Sequence, residues 1–160
     1  MTDAEIKAQL KPLEVLALTG YGEARNQGLE GLVAVLCVPR NRLKVGQWGD
    51  DYKAVCLARW QFSCWEPKGG PDDPKDADEL SENYEVVMDA ARNLLRGQRG
   101  PVLGECLYLA AGVMSTQIRD VTKGSVYYVT HDLWITKPPK HLKGRTPMVR
   151  IGDHVFFTAT

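Results

Sequence analysis

Two apolar, helix-like stretches joined by a tight turn constrain this chain more than any other feature. From Pro12 onward, Leu13, Leu16, Ala17 and Gly20 recur on one side of a helix that ends near Arg25. Proline suits the first helical position, where an N–H would have no partner anyway. Asn26-Gln27-Gly28 reads as a turn, with Gly28 supplying backbone freedom. A second apolar stripe follows at Leu29, Leu32, Val33, Leu36, Cys37 and Leu43, interrupted by Pro39, which is expected to kink or shorten the helix. A helical hairpin is therefore predicted. Upstream, Thr2-Asp3-Ala4-Glu5 has capping-box form and starts a short helix running toward Leu10.

The hairpin carries one carboxyl of interest. Glu23 falls in the last turn of the first arm, where the negative end of the helix dipole opposes its charge. It also sits beside a loop, the common place for catalytic groups on a rigid support. A carboxyl held protonated among apolar groups can donate a proton to a leaving group. The plainer reading is a solvated side chain paired with Arg25 or Lys11.

Further along, Asp50 or Asp51 can cap a short helix through Tyr52, Val55 and Leu57, which delivers Trp60-Gln61-Phe62-Ser63-Cys64-Trp65 into a loop. Three large aromatics interleaved with Gln and Ser suit a sugar-binding wall of flat rings flanked by hydrogen-bonding groups. Phe62 and one tryptophan are as readily core. An acidic surface loop is expected over 71–78, then a long amphipathic helix from about Asp76 to Arg96. Its inward residues are Leu80, Tyr84, Val87, Ala91, Leu94 and Leu95, and Gly97 is its stop. Leu103 to Met114 is either a short helix or a buried extended piece. Asp120 to Val129 reads as a turn entering a strand, with Val149 to Phe157 as its partner. The loop between them carries Lys137, Lys140, Lys143 and Arg145, a solvated edge or a surface for an anionic polymer. The sum is an α+β, mainly α chain with a small β-hairpin or sheet near its C-terminus, read as a single domain over 1–160.

Composition narrows the function classes. Of the 160 residues, twenty are basic and twenty acidic, so the basic face that nucleic-acid phosphates require is missing and nucleic acid is not an expected partner. No stretch reaches the roughly 18 apolar residues that span a bilayer, and residues 1–12 lack the apolar run of a signal peptide. The expectation is a monomer made in the cytoplasm, with no stable membrane insertion. Cys37, Cys56, Cys64 and Cys106 form no CxxC pair, so reduced core thiols are expected, with no metal and no cofactor.

Several segments carry a resemblance when taken together. Tyr21-Gly22-Glu23-Ala24-Arg25, Gly31-Leu32-Val33-Ala34-Val35, Asn41-Arg42, Gln61 to Trp65, Asp120 to Tyr128 and Ile151 to Phe156 occur in the order found in SleB-type cell-wall hydrolases, which the chain resembles over nearly its whole length. That family includes spore-cortex lytic enzymes and bacteriophage endolysins. The resemblance implies a lysozyme-like fold and cleavage of peptidoglycan glycan strands between N-acetylmuramic acid and N-acetylglucosamine, with Glu23 as general acid and base. Two departures stand out: the family's later histidines are missing from Gly124-Ser125-Val126-Tyr127-Tyr128-Val129, and Pro39 replaces the usual Val or Leu.

Glycosidases ordinarily use two carboxyl groups. Glu30, Asp50, Asp51, Glu66 and Asp120 are candidates for the second, each with a ready alternative as cap, turn former or surface charge. One acid suffices if the muramic C6 hydroxyl attacks the anomeric carbon, the lytic-transglycosylase route that the resemblance favours. By side-chain chemistry Gln61, Ser63 and Tyr128 would orient substrate groups, while Tyr21, Trp65 and Tyr127 would line the cleft. Two alternatives are a thiol amidase or peptidase, pairing Cys64 or Cys106 with His131, His141 or His154, and a non-catalytic wall-binding virion component. The expected setting is an endolysin that reaches the periplasm or wall after a holin opens the membrane.

Overall fold

The computed structural model describes residues 1–67 and 82–160. The expected acidic loop at 71–78 and the early part of the amphipathic helix, Leu80 included, lie outside them. Helix α1 spans Asp3–Gln9, and Thr2 and Glu5 form the expected capping box. Asp3 then accepts from the Tyr84 hydroxyl at 2.6 Å and from Arg92 at 2.7 Å, which ties α1 to the later helix α5.

Helix α2, Pro12–Ala24, is the axis of the molecule. It packs against α3 (Gly28–Val45), α4 (Tyr52–Leu57), α5 (Glu82–Leu95) and α6 (Pro101–Met114). Val15, Leu16, Ala17, Leu18, Thr19 and Gly20 are all buried, so α2 is apolar on every side rather than along one stripe. Full burial of Leu16 or Leu18 stabilises the fold by about 2–3 kcal/mol each. Asp51 caps α4 by accepting from the Ala54 N–H at 2.7 Å. Gly97, at φ +77°, ends α5 in the left-handed conformation that glycine adopts freely. Leu103 to Met114 is helical, which settles the choice that periodicity left open.

The second arm of the hairpin differs from expectation. Leu29 is exposed, because the first turn of α3 stands clear of the core, and Pro39 sits inside a helix that continues to Val45. Three polar residues next to that proline, Arg40, Asn41 and Arg42, are buried. Most of their donors are met by the end of α6 and the loop that follows it, while Arg40 Nε has no partner among the described residues. Arg40 donates to the carbonyls of Val113 and Ile118, Asn41 to Asp120, Thr122 and the Ser125 carbonyl, and Arg42 to the Val126 carbonyl at 2.7 Å.

This clamp delivers the chain into strand β1, Tyr127–Thr130. The stretch expected to supply one partner strand supplies two, β2 (Val149–Ile151) and β3 (His154–Phe157), because Gly152 at φ +58° turns the chain between them. The sheet is antiparallel, in the order β1-β3-β2, with Tyr128 opposite Phe156. A further helix missed in the sequence, α7 (His131–Thr136), starts directly after β1 behind the N-cap Thr130. The basic loop folds into a 3-10 turn at Lys140–Leu142, whose Leu142 is buried with Val129, Val155 and Phe157.

Asp120 organises the clamp. Its carboxylate accepts from the Thr122 N–H and hydroxyl, the Gly124 N–H and Asn41. Burial raises its pKa, but these bonds outweigh burial and hold it below the ordinary value. Its stabilising contribution is therefore complete above about pH 4 and fades as acid protonates it. Asp120→Ala, which strands the donors, is expected to cost about 2–3 kcal/mol in denaturant unfolding at pH 7, and the difference should narrow progressively as pH falls below about 4.

Candidate active site

The site is built where α2 ends. Gly22 lies so close to the turn at 63–65 that an added Cβ would stand 2.5 Å from Cys64 Cβ and 2.6 Å from Val87 Cγ2. Only glycine lets that backbone approach. The next residue, Glu23, thereby meets the turn. Its Oε1 accepts from the Cys64 N–H at 3.0 Å and the Ser63 hydroxyl at 3.2 Å, and its Oε2 accepts from the Tyr128 hydroxyl at 2.7 Å. Three donors thus converge on a half-buried carboxyl. A carboxylate has about four acceptor positions, so about one is left for a substrate.

Each donor is itself held. Trp65 donates its indole N–H to Thr19 at 2.8 Å, and Lys7 donates to the Trp65 carbonyl at 3.0 Å, pinning the 63–65 turn to α1 and α2. Tyr128 is braced by the ring of His154, edge-on at 5.0 Å between centroids, and by Phe156 at 5.8 Å. Burial, and then the adjacent Glu23 charge, pushes the Tyr128 phenol well above its ordinary value, so it keeps the proton it donates.

Two depressions open along β1, one of them reaching the Tyr128 that donates to this carboxyl. One, of about 400 Å³, ends at Tyr128 and is lined by Arg42, Trp48, Trp60, Gln61, Tyr127 and His141. The other, of about 480 Å³, is lined by Gln27, Thr130, His131, Asp132, Arg150 and Asp153. Trp60 holds φ +63°, a left-handed conformation that strains a bulky residue, with its N–H on the Glu66 carboxylate at 2.8 Å. Trp60 is 40% exposed at the groove.

The structure brings Glu23, Ser63 and Tyr128 into direct contact and sets Gln61 and Tyr127 in the adjoining groove. Two expected cleft residues stand elsewhere. Trp65 is 2% exposed, its face taken up by the core, so Trp48 and Trp60 are the tryptophans that the groove presents. Tyr21 lines a separate depression with Val86, Ala90, Asn93 and Arg99, under the guanidinium of Arg25. Missing from the sequence reading were the Cys64 N–H, which leaves no side-chain signal, and Arg42, whose charge inside an apolar helix was a signal. Of the proposed second acids, Asp51 caps α4, Glu66 holds Trp60, Asp120 holds the clamp, and Glu30 and Asp50 are exposed.

All four thiols are buried. Burial drives Cys37 and Cys106 up to about 11, Cys56 to about 12, and Cys64 well above the ordinary value. A thiolate nucleophile near neutral pH is therefore disfavoured, and no histidine is hydrogen-bonded to a thiol among the described residues. No cluster of metal-ligating side chains occurs among the described residues. No described helix is long and apolar enough to cross a membrane.

A mainly helical chain with one anchored carboxyl beside an aromatic groove has the layout of an enzyme that cuts a polymer. Residues 26–157 match the cell wall hydrolase family, and the chain belongs to that family, as an enzyme acting on bacterial peptidoglycan. The matched span opens just past Glu23. The fold is similar to that of the catalytic domain of the germination-specific lytic transglycosylase SleB from Bacillus anthracis, with a TM-score of 0.56 and 19% identity over 92% of this chain and 93% of that one. It is equally similar to the catalytic domain of the Bacillus cereus SleB protein, at 0.56 and 19%, over 92% and 89%. No curated protein sequence matches the chain.

Gly22→Ala tests the geometry. The added methyl must push the 63–65 turn away from α2, at a cost of about 1–3 kcal/mol in thermal unfolding. Wall-clearing activity measured well below the melting transition is expected to drop roughly tenfold or more, because the Cys64 N–H leaves Glu23. A variant that unfolds earlier yet clears walls at the normal rate would show that this contact does not matter.

Proposed function

We propose that Glu23 cleaves the glycan strand of peptidoglycan between N-acetylmuramic acid and N-acetylglucosamine by transglycosylation. The observation that carries this reading is the carboxyl held by three donors from two separate segments, the 63–65 turn and β1, beside a groove whose aromatic rings can stack on a sugar. Glu23 protonates the bridging oxygen, and the C1–O bond breaks with oxocarbenium character. The muramic C6 hydroxyl then attacks C1 and returns its proton to Glu23, so water is not consumed and the product carries a 1,6-anhydro ring.

Support comes from the similar structures, one of which is a lytic transglycosylase. It comes as well from the groove beside Tyr128, which presents aromatic rings, an amide and a guanidinium but no carboxyl among its described lining residues. Asp132 and Asp153 lie in the other depression, where Asp153 accepts from Gln27 at 3.2 Å. Gln61, Ser63 and Tyr127 are proposed to contact the sugars. We also propose that the enzyme serves as a phage endolysin: cells expressing it in the cytoplasm should lyse only once the inner membrane is permeabilised.

Glu23→Gln keeps the shape of the side chain and removes its acid. Release of soluble fragments from purified sacculi is expected to fall at least about a hundredfold, while Cys64→Ser retains activity. Loss with Cys64→Ser and survival of Glu23→Gln would favour a thiol enzyme. A wild type that binds sacculi and releases nothing would favour a non-catalytic wall protein.

A further inference from the structure

The groove that ends at Tyr128 carries a feature that cleavage of a neutral sugar chain does not require. Arg42 is 4% exposed, and its hydrogen bonds go to the Val126 carbonyl and the Gln61 amide oxygen, both neutral. Its guanidinium lies among the rings of Phe62 at 4.8 Å, Trp48 at 5.0 Å and Tyr127 at 5.8 Å. Burying a cation without a carboxylate in contact is costly. The acid whose charge reaches it is Glu23.

More positive charge borders the same groove. Arg145 also stands over the Tyr127 ring at 5.3 Å, and Arg59 over the Trp60 ring at 5.3 Å. Exposed Lys140 and Lys143 flank His141, a lining residue. From residue 133 to 150 the chain has five basic residues and no acidic one, although it is neutral as a whole. The other depression along β1 is mixed, with Asp132 and Asp153 beside Arg150.

Positive charge is thus gathered on the side of Tyr128. We infer that the Arg42 groove is a carboxylate-reading subsite that takes the muramoyl unit with the acidic stem peptide it carries. The inference rests on Glu23 cutting peptidoglycan and adds the charge the substrate must bear. Arg42 supplies a short-range, desolvated contact, whereas Lys140 and Lys143 act through space within a Debye length of about 10 Å.

The test uses Lys140→Glu combined with Lys143→Glu, two exposed sites away from the Glu23 contacts. The substrates are native sacculi and sacculi whose carboxylates have been converted to neutral amides with a carbodiimide and ammonium. On native sacculi at low salt, KM of the double variant is expected to rise roughly tenfold with kcat nearly unchanged. On amidated sacculi the wild type should show the same rise in KM, and wild type and variant should converge. Equal KM values for wild type and variant on native sacculi, or undiminished cleavage of amidated sacculi, would overturn the carboxylate assignment while leaving Glu23 as the acid. Native sacculi left intact by the wild type would overturn both.

Discussion

A buried polar patch inside an apolar helix fixes where everything else must go. Arg40, Asn41 and Arg42 cannot be left dry and unpaired in the middle of α3, since each unmet donor costs about 1–3 kcal/mol. The chain after α6 meets most of that demand, wrapping its carbonyls and the Asp120 carboxylate around α3. The consequence is positional: the loop can leave α3 only at Val126, so the next two residues, Tyr127 and Tyr128, arrive opposite the end of α2. A requirement of hydrogen-bond satisfaction thereby becomes the placement of a groove.

The acid is then caught between two layers that reach it independently. From one side the 63–65 turn approaches across Gly22, and from the other β1 brings in a phenol that burial keeps protonated. Neither layer is held by Glu23 itself. The turn hangs on Thr19 and Lys7, and the tyrosine on the sheet and the His154 ring. Such outside support lets a carboxyl sit at the unfavourable end of a helix dipole without being free to swing away. The one position that remains is where the carboxyl can carry the proton it gives to the sugar bridge.

Much of the helical frame was legible in the sequence because its signals are local. The capping box at Thr2, the proline at position 12, the Asp51 cap and the Gly97 stop act within one turn of chain, and the structure uses all four as read. Glu23, Ser63 and Tyr128 were also singled out, and they touch. The misreadings concern burial between distant segments. Trp60 and Trp65 have the same side chain five residues apart, and only the packing of the turn on Thr19 decides which ring the groove receives. Tyr21 lies two residues from Glu23 and faces another depression, as helical rotation allows. Arg42 was quoted for resemblance alone, although a charge on an apolar stripe was the clearest sign that something distant must answer it. The doubling of one expected strand into β2 and β3 turned on Gly152, whose positive φ breaks the run.

The account reduces to one acid working without a carboxyl partner, and the masses of its products test that most directly. Sacculi digested to completion and analysed by mass spectrometry should yield muropeptides ending in 1,6-anhydromuramic acid, lighter by one water than hydrolytic ends, with no incorporation of heavy oxygen from labelled water. Reducing ends bearing the solvent label would contradict it: water, activated by a second carboxyl such as Asp153, would then be the nucleophile, and the groove around Glu23 would have to be redrawn as a two-acid site.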